Sequence, residues 1–204
     1  MAATLFAAVL GFIVSLYVNT PQSFTVFARI PNTQTPPVSP TISPAKPRTV
    51  SQTSSDGKKK IIMAEIQNAD TTKTYYISVA DSADIHASTV FTKTLDATKT
   101  MTLPYNAWSP DNQYFFLQEQ TTTGIVTRVF VLHNTGKPFA SGETHLDAVE
   151  AFTNRNTGYT FSQATGWASE TLIIINTTTS ENKKGPSFWF EVPSTAIIQL
   201  STEF

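Results

Sequence analysis

Apolar and polar residues alternate along several segments of the chain after residue 55. The clearest runs are Lys59–Gln67, Thr74–Ala80, Gln113–Gln120, Val126–His133, Thr171–Thr178 and Ser187–Val192. A period of two places successive side chains on opposite faces of a strand, so these runs predict β-strands. Short polar turns separate them in pairs, and we therefore expect three hairpins.

Weaker patterns complete the predicted set of elements. Four shorter strands are expected at Ser88–Thr92, Thr100–Leu103, Tyr159–Phe161 and Ala196–Leu200. The segment Thr144–Phe152 differs, because Leu146, Val149 and Phe152 recur every three residues, which predicts a short amphipathic helix. The predicted fold class is all-β, with antiparallel sheets and one short helix.

A different pattern occupies the N-terminal part of the chain. Residues 2–18 carry no charge and are predominantly apolar, which predicts an N-terminal hydrophobic helix. We interpret residues 1–18 as a single-pass transmembrane anchor in the cell membrane. Two alternatives stay open: a cleaved signal peptide with Val26-Phe27-Ala28 as its cleavage site, and a buried helix of a soluble protein.

Prolines dominate the segment that follows. Six of the 12 prolines lie between Pro31 and Pro47. Since proline removes a backbone donor and fixes φ, we expect residues 19–55 to form an extended stalk. The alternative is a PxxP ligand for a partner domain. Residues 56–204 are then the folded domain, which a stalk would hold off the membrane on its extracytoplasmic side.

Composition supports the strands and excludes several classes of function. The chain has 33 Thr and 18 Ser, while charged residues make up only 14%, against roughly 25% in typical soluble domains. Threonine is β-branched and favours strands. A net charge of −1 argues against nucleic-acid binding, and the lack of cysteine excludes disulfides, thiolate metal sites and thiol nucleophiles.

A polar turn that contains an acid precedes each predicted hairpin. The acids are Asp56, Asp111 and Glu170, at intervals of 55 and 59 residues. A period of this length that ends in a turn and a strand predicts a repeated β unit.

The residues of the second turn resemble a known family. Trp108-Ser109-Pro110-Asp111-Asn112-Gln113 is similar to the Trp-Ser-Pro-Asp-Gly-Lys signature of WD40-like (TolB-type) β-propeller repeats. Ser55-Asp56-Gly57-Lys58 matches the latter half of that signature, and Trp167-Ala168-Ser169-Glu170 is a degenerate copy.

The resemblance implies roles for these residues. Asp56, Asp111 and Glu170 would shape turns, and Trp108 and Trp167 would pack between blades. Three repeats imply blade-like antiparallel sheets that form a partial or divergent β-propeller. The layout of anchor, stalk and repeats also resembles uncharacterised membrane-anchored proteins of bacteria.

Candidate chemistry is sparse. His145 and Asp147, with Glu143 and Glu150 nearby, carry metal-ligand side chains, but a solvated acidic helix face explains this cluster better. The chain has neither a Gly-x-Ser-x-Gly elbow nor a phosphate-binding glycine loop. We therefore predict no catalytic residue, no cofactor and no metal.

Three consecutive aromatic residues, Phe188, Trp189 and Phe190, form a candidate binding patch. On a strand, Trp189 lies on the opposite face from the two phenylalanines, and one face must be core. The other face is either a second buried layer between stacked sheets, which we favour, or an exposed patch.

These features predict a membrane-tethered, extracytoplasmic, β-propeller-like domain that acts as a non-catalytic protein- or ligand-binding module. One alternative is a structural or adhesive cell-surface protein that assembles with copies of itself. Another is an accessory domain of a hydrolase or peptidase system. The expected partners are the membrane, through the N-terminal helix, and either another protein or a second copy of the chain.

Overall fold

The computed structural model describes residues 46–82 and 87–201, and this part of the chain contains twelve strands and one helix. The strands are β1 (Arg48–Thr53), β2 (Lys59–Gln67), β3 (Lys73–Asp81), β4 (Ser88–Leu95), β5 (Lys99–Thr102), β6 (Tyr114–Thr121), β7 (Val126–His133), β8 (Leu146–Asp147), β9 (Thr160–Trp167), β10 (Leu172–Thr178), β11 (Phe188–Glu191) and β12 (Ala196–Gln199). The helix α1 (Ala148–Arg155) follows β8 directly.

The strands form three antiparallel sheets of four strands each. The first sheet has the order β1-β2-β3-β4, the second β5-β6-β7-β8 and the third β12-β11-β10-β9. Within each sheet, strands that are consecutive in sequence pair with one another, so each sheet is a simple meander. The predicted fold class is confirmed at this level: antiparallel β-sheets with one short helix. Within the described ranges the three sheets do not close into a ring.

The helix begins later than the sequence pattern predicts. Leu146 pairs with Val131 in the second sheet, which extends that sheet to Asp147. The Asp147 carboxylate then accepts hydrogen bonds from the backbone N–H groups of Val149 and Glu150, at 3.0 and 3.3 Å. This N-cap fixes the start of α1. Asn156, in the left-handed conformation, ends it.

The first sheet contains a strand that the sequence analysis assigned to the stalk. β1 runs antiparallel to β2, with Arg48 opposite Glu65 and Gln52 opposite Ile61. The strand begins immediately after Pro47, where the run of prolines ends and backbone donors become available. The stalk boundary at residue 55 therefore lies several residues too far along the chain.

The predicted anchor, residues 1–18, and the stalk as far as residue 45 lie outside the described residues, as does His86. Among the helices of residues 46–82 and 87–201, none is long and apolar enough to cross a membrane.

The three sheets stack face to face through two hydrophobic cores, with the second sheet in the middle. Side chains of β6 alternate between them: Phe115 and Leu117 pack against the first sheet, and Phe116 packs against the third. The first core also contains Ile61, Met63, Tyr75 and Ile77 of the first sheet. The second core also contains Phe152 of α1 and Ile173, Ile175, Phe188 and Phe190 of the third sheet. Burial on both faces explains why three apolar residues, Phe115, Phe116 and Leu117, follow one another in β6.

Candidate functional site

A hydrogen-bonded turn leads into β2. The Ser54 hydroxyl donates to the Asp56 carboxylate at 2.7 Å and accepts from the backbone N–H of Lys59 at 2.9 Å. The same carboxylate oxygen accepts from the Lys58 N–H at 3.1 Å. The hydrogen bond from Ser54, followed by that from Lys58, lowers the pKa of Asp56. Gly57 occupies the left-handed position, with φ of 72°.

The turn before β6 repeats this geometry 55 residues later. Ser109 donates to Asp111 at 2.6 Å and accepts from the Tyr114 N–H at 2.9 Å, and Asp111 accepts from the Gln113 N–H at 3.1 Å. Asn112 takes the left-handed position with φ of 59°. Asp56 and Asp111 therefore close equivalent turns.

The third turn is shorter. The Ala168 N–H donates to the carbonyl of Leu172 at 2.7 Å, four residues on, whereas Ser54 and Ser109 each bond five residues on. Ala168 stands where the first two turns have a serine, so the hydroxyl that bonds the acid in those turns is missing at this position. Glu170 makes no hydrogen bond in the part of the chain that the structure describes, so the capping role expected for it is not seen there.

Trp108 and Trp167 connect neighbouring sheets. The Trp108 indole N–H donates to the carbonyl of Gln52 at 3.3 Å, and that of Trp167 donates to the carbonyl of Ala107 at 2.9 Å. Each acceptor lies two residues before the serine that opens the preceding turn. The two tryptophans thus make equivalent contacts with the preceding sheet.

The structure separates the three aromatic residues of the candidate patch. Phe188 and Phe190 are 2% and 0% exposed, because alternation along β11 turns both into the second core. They cannot belong to an exposed binding patch, which corrects that part of the expectation. Trp189 lies half-buried on the opposite face, between Ile174 and Ile198 on the adjacent strands. Its indole nitrogen is buried without a hydrogen-bond partner.

The acidic cluster near α1 is structural. Asp147 caps the helix and pairs with Arg128, which also lies 3.3 Å from Glu150. The His145 ring packs edge-on against Phe91 and Phe130, with centroids at 5.2 and 5.4 Å. The described residues contain no group of three His, Asp or Glu side chains that could hold a metal ion.

A cavity of about 450 Å³ lies between the first and second sheets. Its apolar wall includes Val50, Met63, Met101, Leu103 and Tyr105. Tyr105 is 96% exposed, which is unusual for an aromatic side chain and leaves its ring free beside the cavity.

Two strand edges border this cavity. β1 is one of the two edge strands of the first sheet, and β5 is one of the two edge strands of the second. Val50, Ser51 and Gln52 line the cavity in succession, as do residues 100–105. Since side chains alternate along a strand, consecutive lining residues mean that the cavity follows the backbone edges as well as the side chains.

The charged groups in the cavity are Arg48, Glu65 and Lys73. Lys73 pairs with Glu65 at 3.3 Å, and both side chains are mostly shielded from solvent. Arg48 lies opposite Glu65 in the strand register but makes no ion pair within the described ranges. The cavity therefore holds one positive charge in excess.

Two buried polar atoms beside these charges lack hydrogen-bond partners: the Gln52 side-chain oxygen and the Tyr75 hydroxyl. The Tyr75 hydroxyl lies near the Met101 backbone N–H and the Glu65 carboxylate, but in hydrogen-bonding geometry with neither. Burial, reinforced by Glu65, raises the pKa of Tyr75 to about 12. The hydroxyl is thus a neutral donor at all physiological pH values.

The sequence patterns do not predict this cavity. Its walls come from segments about fifty residues apart, and Arg48 and Gln52 were assigned to the stalk. One signal was available: Arg48, Val50 and Gln52 alternate directly after the last proline of the stalk, as expected for a strand.

Comparisons with known proteins place the chain in no family, since no family model and no curated protein matches it. Two solved structures are similar to it. The apo form of the AtxE2 isopeptidase is 11% identical, with a TM-score of 0.47, over 74% of this chain and 28% of that one. A variant of that isopeptidase with Astexin3-dC4 bound is 10% identical, with a TM-score of 0.49, over 78% and 30%. The chain thus spans less than a third of the length of either.

Proposed function

We propose that the chain is a non-catalytic binding module on a partial, divergent β-propeller, and that the cavity between the first and second sheets is its ligand site. The observation that carries the proposal is that one cavity combines the Arg48 guanidinium, which has no ion-pair partner among the described residues, with the unsatisfied side-chain oxygen of Gln52. We further propose that residues 1–18 tether the module to the outer side of a membrane, on the basis of their apolar, uncharged sequence.

The repeated contacts support the propeller part of the proposal. Three four-stranded meanders stack face to face, equivalent Ser–Asp turns open the first two hairpins, and equivalent tryptophans bond each sheet to the one before. A series of this kind is the arrangement of successive propeller blades.

The unsatisfied side-chain oxygen of Gln52 supports the binding part. A buried polar group without a hydrogen-bond partner costs about 1–3 kcal/mol, and most such groups in folded proteins are satisfied. A ligand that donates to the Gln52 oxygen would remove this cost on binding. Its apolar part would contact Met63, Met101 and Leu103.

Methionine methyl groups provide a direct test. The chain has three methionines, and two of them, Met63 and Met101, line the cavity. We expect members of a mixture of small aromatic and aliphatic acids and amides to shift the ¹³C-methyl NMR signals of Met63 and Met101 in the full chain. The signal of Met1 should stay unchanged.

Two tyrosine variants provide the matched control. Tyr105→Ala removes the exposed ring beside the cavity, whereas Tyr76→Ala removes a ring that is 40% exposed on the opposite face of the first sheet. We expect Tyr105→Ala to weaken binding about fivefold, as for the loss of one aromatic contact of about 1 kcal/mol. Equal effects of the two variants, or no methyl shift with any compound, would contradict the proposal.

Self-assembly is a second candidate, and one observation favours it. The outer face of the third sheet carries an apolar row formed by Ile174, Trp189 and Ile198, and the Trp189 indole N–H has no partner. A second copy of the chain that covers this row would supply an acceptor and exclude water. A molecular mass that rises with protein concentration would distinguish this candidate from a monomeric binding module.

A further inference from the structure

We infer that the ligand of this cavity is an extended peptide segment that adds to the free edge of β1 and places a carboxylate against Arg48; this inference rests on the proposed function. It adds to that function a ligand class, a binding mode and a residue that selects the ligand.

The backbone edge of β1 is open to pairing with an added strand. β1 pairs with β2 on one side only, so the N–H and C=O groups on its other side have no strand partner within the described residues. The cavity runs along Val50, Ser51 and Gln52 in succession, which brings this edge to its surface. An unpaired strand edge beside a groove is the feature to which extended peptides add by main-chain hydrogen bonds.

The excess positive charge in the cavity favours an acidic ligand. Glu65 balances Lys73, and Arg48 is left without an anionic partner among the described residues. A guanidinium binds a carboxylate through two parallel hydrogen bonds, which is stronger and more directional than a contact to a neutral group. An acidic group on the ligand is therefore preferred at the Arg48 end of β1.

The apolar wall of the cavity provides a surface for the side chains of the peptide. A peptide strand added to the edge of β1 turns every second side chain toward the space between the first and second sheets. Those side chains would meet Met63, Met101 and Leu103, while the exposed Tyr105 ring would cover them from the solvent side. The hydrogen-bonding edge of β1 and the apolar wall thus border the same cavity.

The occupant is a separate peptide rather than the proline-rich segment of the same chain. Six prolines lie between Pro31 and Pro47, and none of them has a backbone N–H to donate to a strand edge. The inference therefore requires a partner with free backbone donors and a carboxylate.

The test uses a degenerate library of N-acetylated heptapeptides, prepared once with a free C-terminal carboxylate and once as the C-terminal amide. Each library is offered to the immobilised full chain in three forms: unchanged, Arg48→Gln and Lys60→Gln. Lys60 is an exposed lysine on the opposite face of the same sheet and serves as the matched control. Enrichment of Asp and Glu in the amide library separates a side-chain carboxylate from a C-terminal one.

We expect carboxylate-containing peptides to be enriched about tenfold on the unchanged chain and on Lys60→Gln, and not on Arg48→Gln, as for the loss of one bidentate charged contact. The best peptide should lose at least about tenfold in affinity when alternate backbone nitrogens are methylated, because methylation removes the donors that β1 requires. It should also shift the Met63 and Met101 methyl signals.

Other outcomes overturn the inference in distinguishable ways. Equal enrichment on Arg48→Gln, or no effect of N-methylation, excludes the binding mode while cavity methyl shifts still support the proposed function. If no peptide is enriched but small acids or amides shift the Met63 and Met101 signals, the ligand is not a peptide and the binding site stands. If neither probe shifts these signals, both the inference and the proposed function are wrong.

Discussion

At the scale of the residue, the Ser54 hydroxyl holds the turn before β2 through three contacts. It donates to Asp56 and lies 2.9 Å from the Lys59 N–H and 3.1 Å from the Lys59 carbonyl, while Ser54 itself is 4% exposed. We expect Ser54→Ala to raise the pKa of Asp56 toward its usual value of 3.8, because the hydrogen bond from Ser54 is the main cause of its lowering. The variant should also lower the free energy of unfolding by about 1 kcal/mol.

The pH dependence follows from the sign of that shift. A carboxyl whose pKa is lowered by folding stabilises the folded state above its unfolded pKa, and the contribution disappears as the pH falls through the folded value. The stabilisation from Asp56 should therefore be complete at neutral pH and lost below pH 3.8. The test is an NMR titration of Asp56, together with urea unfolding at neutral pH and at a pH below 3.8. The control variant is Ser88→Ala, at an exposed position. An unchanged Asp56 pKa in Ser54→Ala would contradict it.

At the scale of the element, the three tryptophans allow a matched comparison. Trp108 and Trp167 donate to the preceding sheet, whereas the indole N–H of Trp189 is buried without a partner. Replacement of each by Phe makes the same change in volume and removes the same N–H. We expect Trp108→Phe and Trp167→Phe to cost about 1 kcal/mol more than Trp189→Phe in urea unfolding. Equal costs would mean that the inter-sheet hydrogen bonds contribute nothing to stability.

Local patterns predicted the elements well, and contacts between elements poorly. β2 and β7 have the bounds that alternation predicts, because strong period-two patterns report a strand with one or two buried faces. The turns at Asp56 and Asp111 were visible for the same reason, since the hydrogen bonds that Asp56, Asp111 and their serines make join residues at most five positions apart. The cavity was not, because Arg48 and Tyr105 come together only when two sheets stack. The turn role predicted for Glu170 is not observed for a third reason. Its turn is one residue shorter than the other two, and composition alone does not reveal this difference.

Within residues 46–82 and 87–201 of the molecule, the open series of three sheets has an outer face at each end, and these two faces differ. The turn alignment places Lys60 of the first sheet where the second sheet has the buried Phe115. Lys60 shares this face with hydroxyl pairs such as Ser78 with Thr89. A copy of the chain that stacked its first sheet on the apolar row of another copy's third sheet would bury this lysine, which is costly without an acidic partner.

We therefore expect Ser43–Phe204, the compact unit that contains the described residues, to give a single monomer mass by light scattering at low and at high concentration. This outcome favours a binding module. The control is Ile198→Lys, which places a charge at a position that is 42% exposed in the apolar row of the third sheet. A mass that rises with concentration, and that Ile198→Lys returns to the monomer value, would instead show that copies meet through that row. The Trp189 N–H would then find its acceptor on a second chain, and self-assembly would replace ligand binding as the leading function.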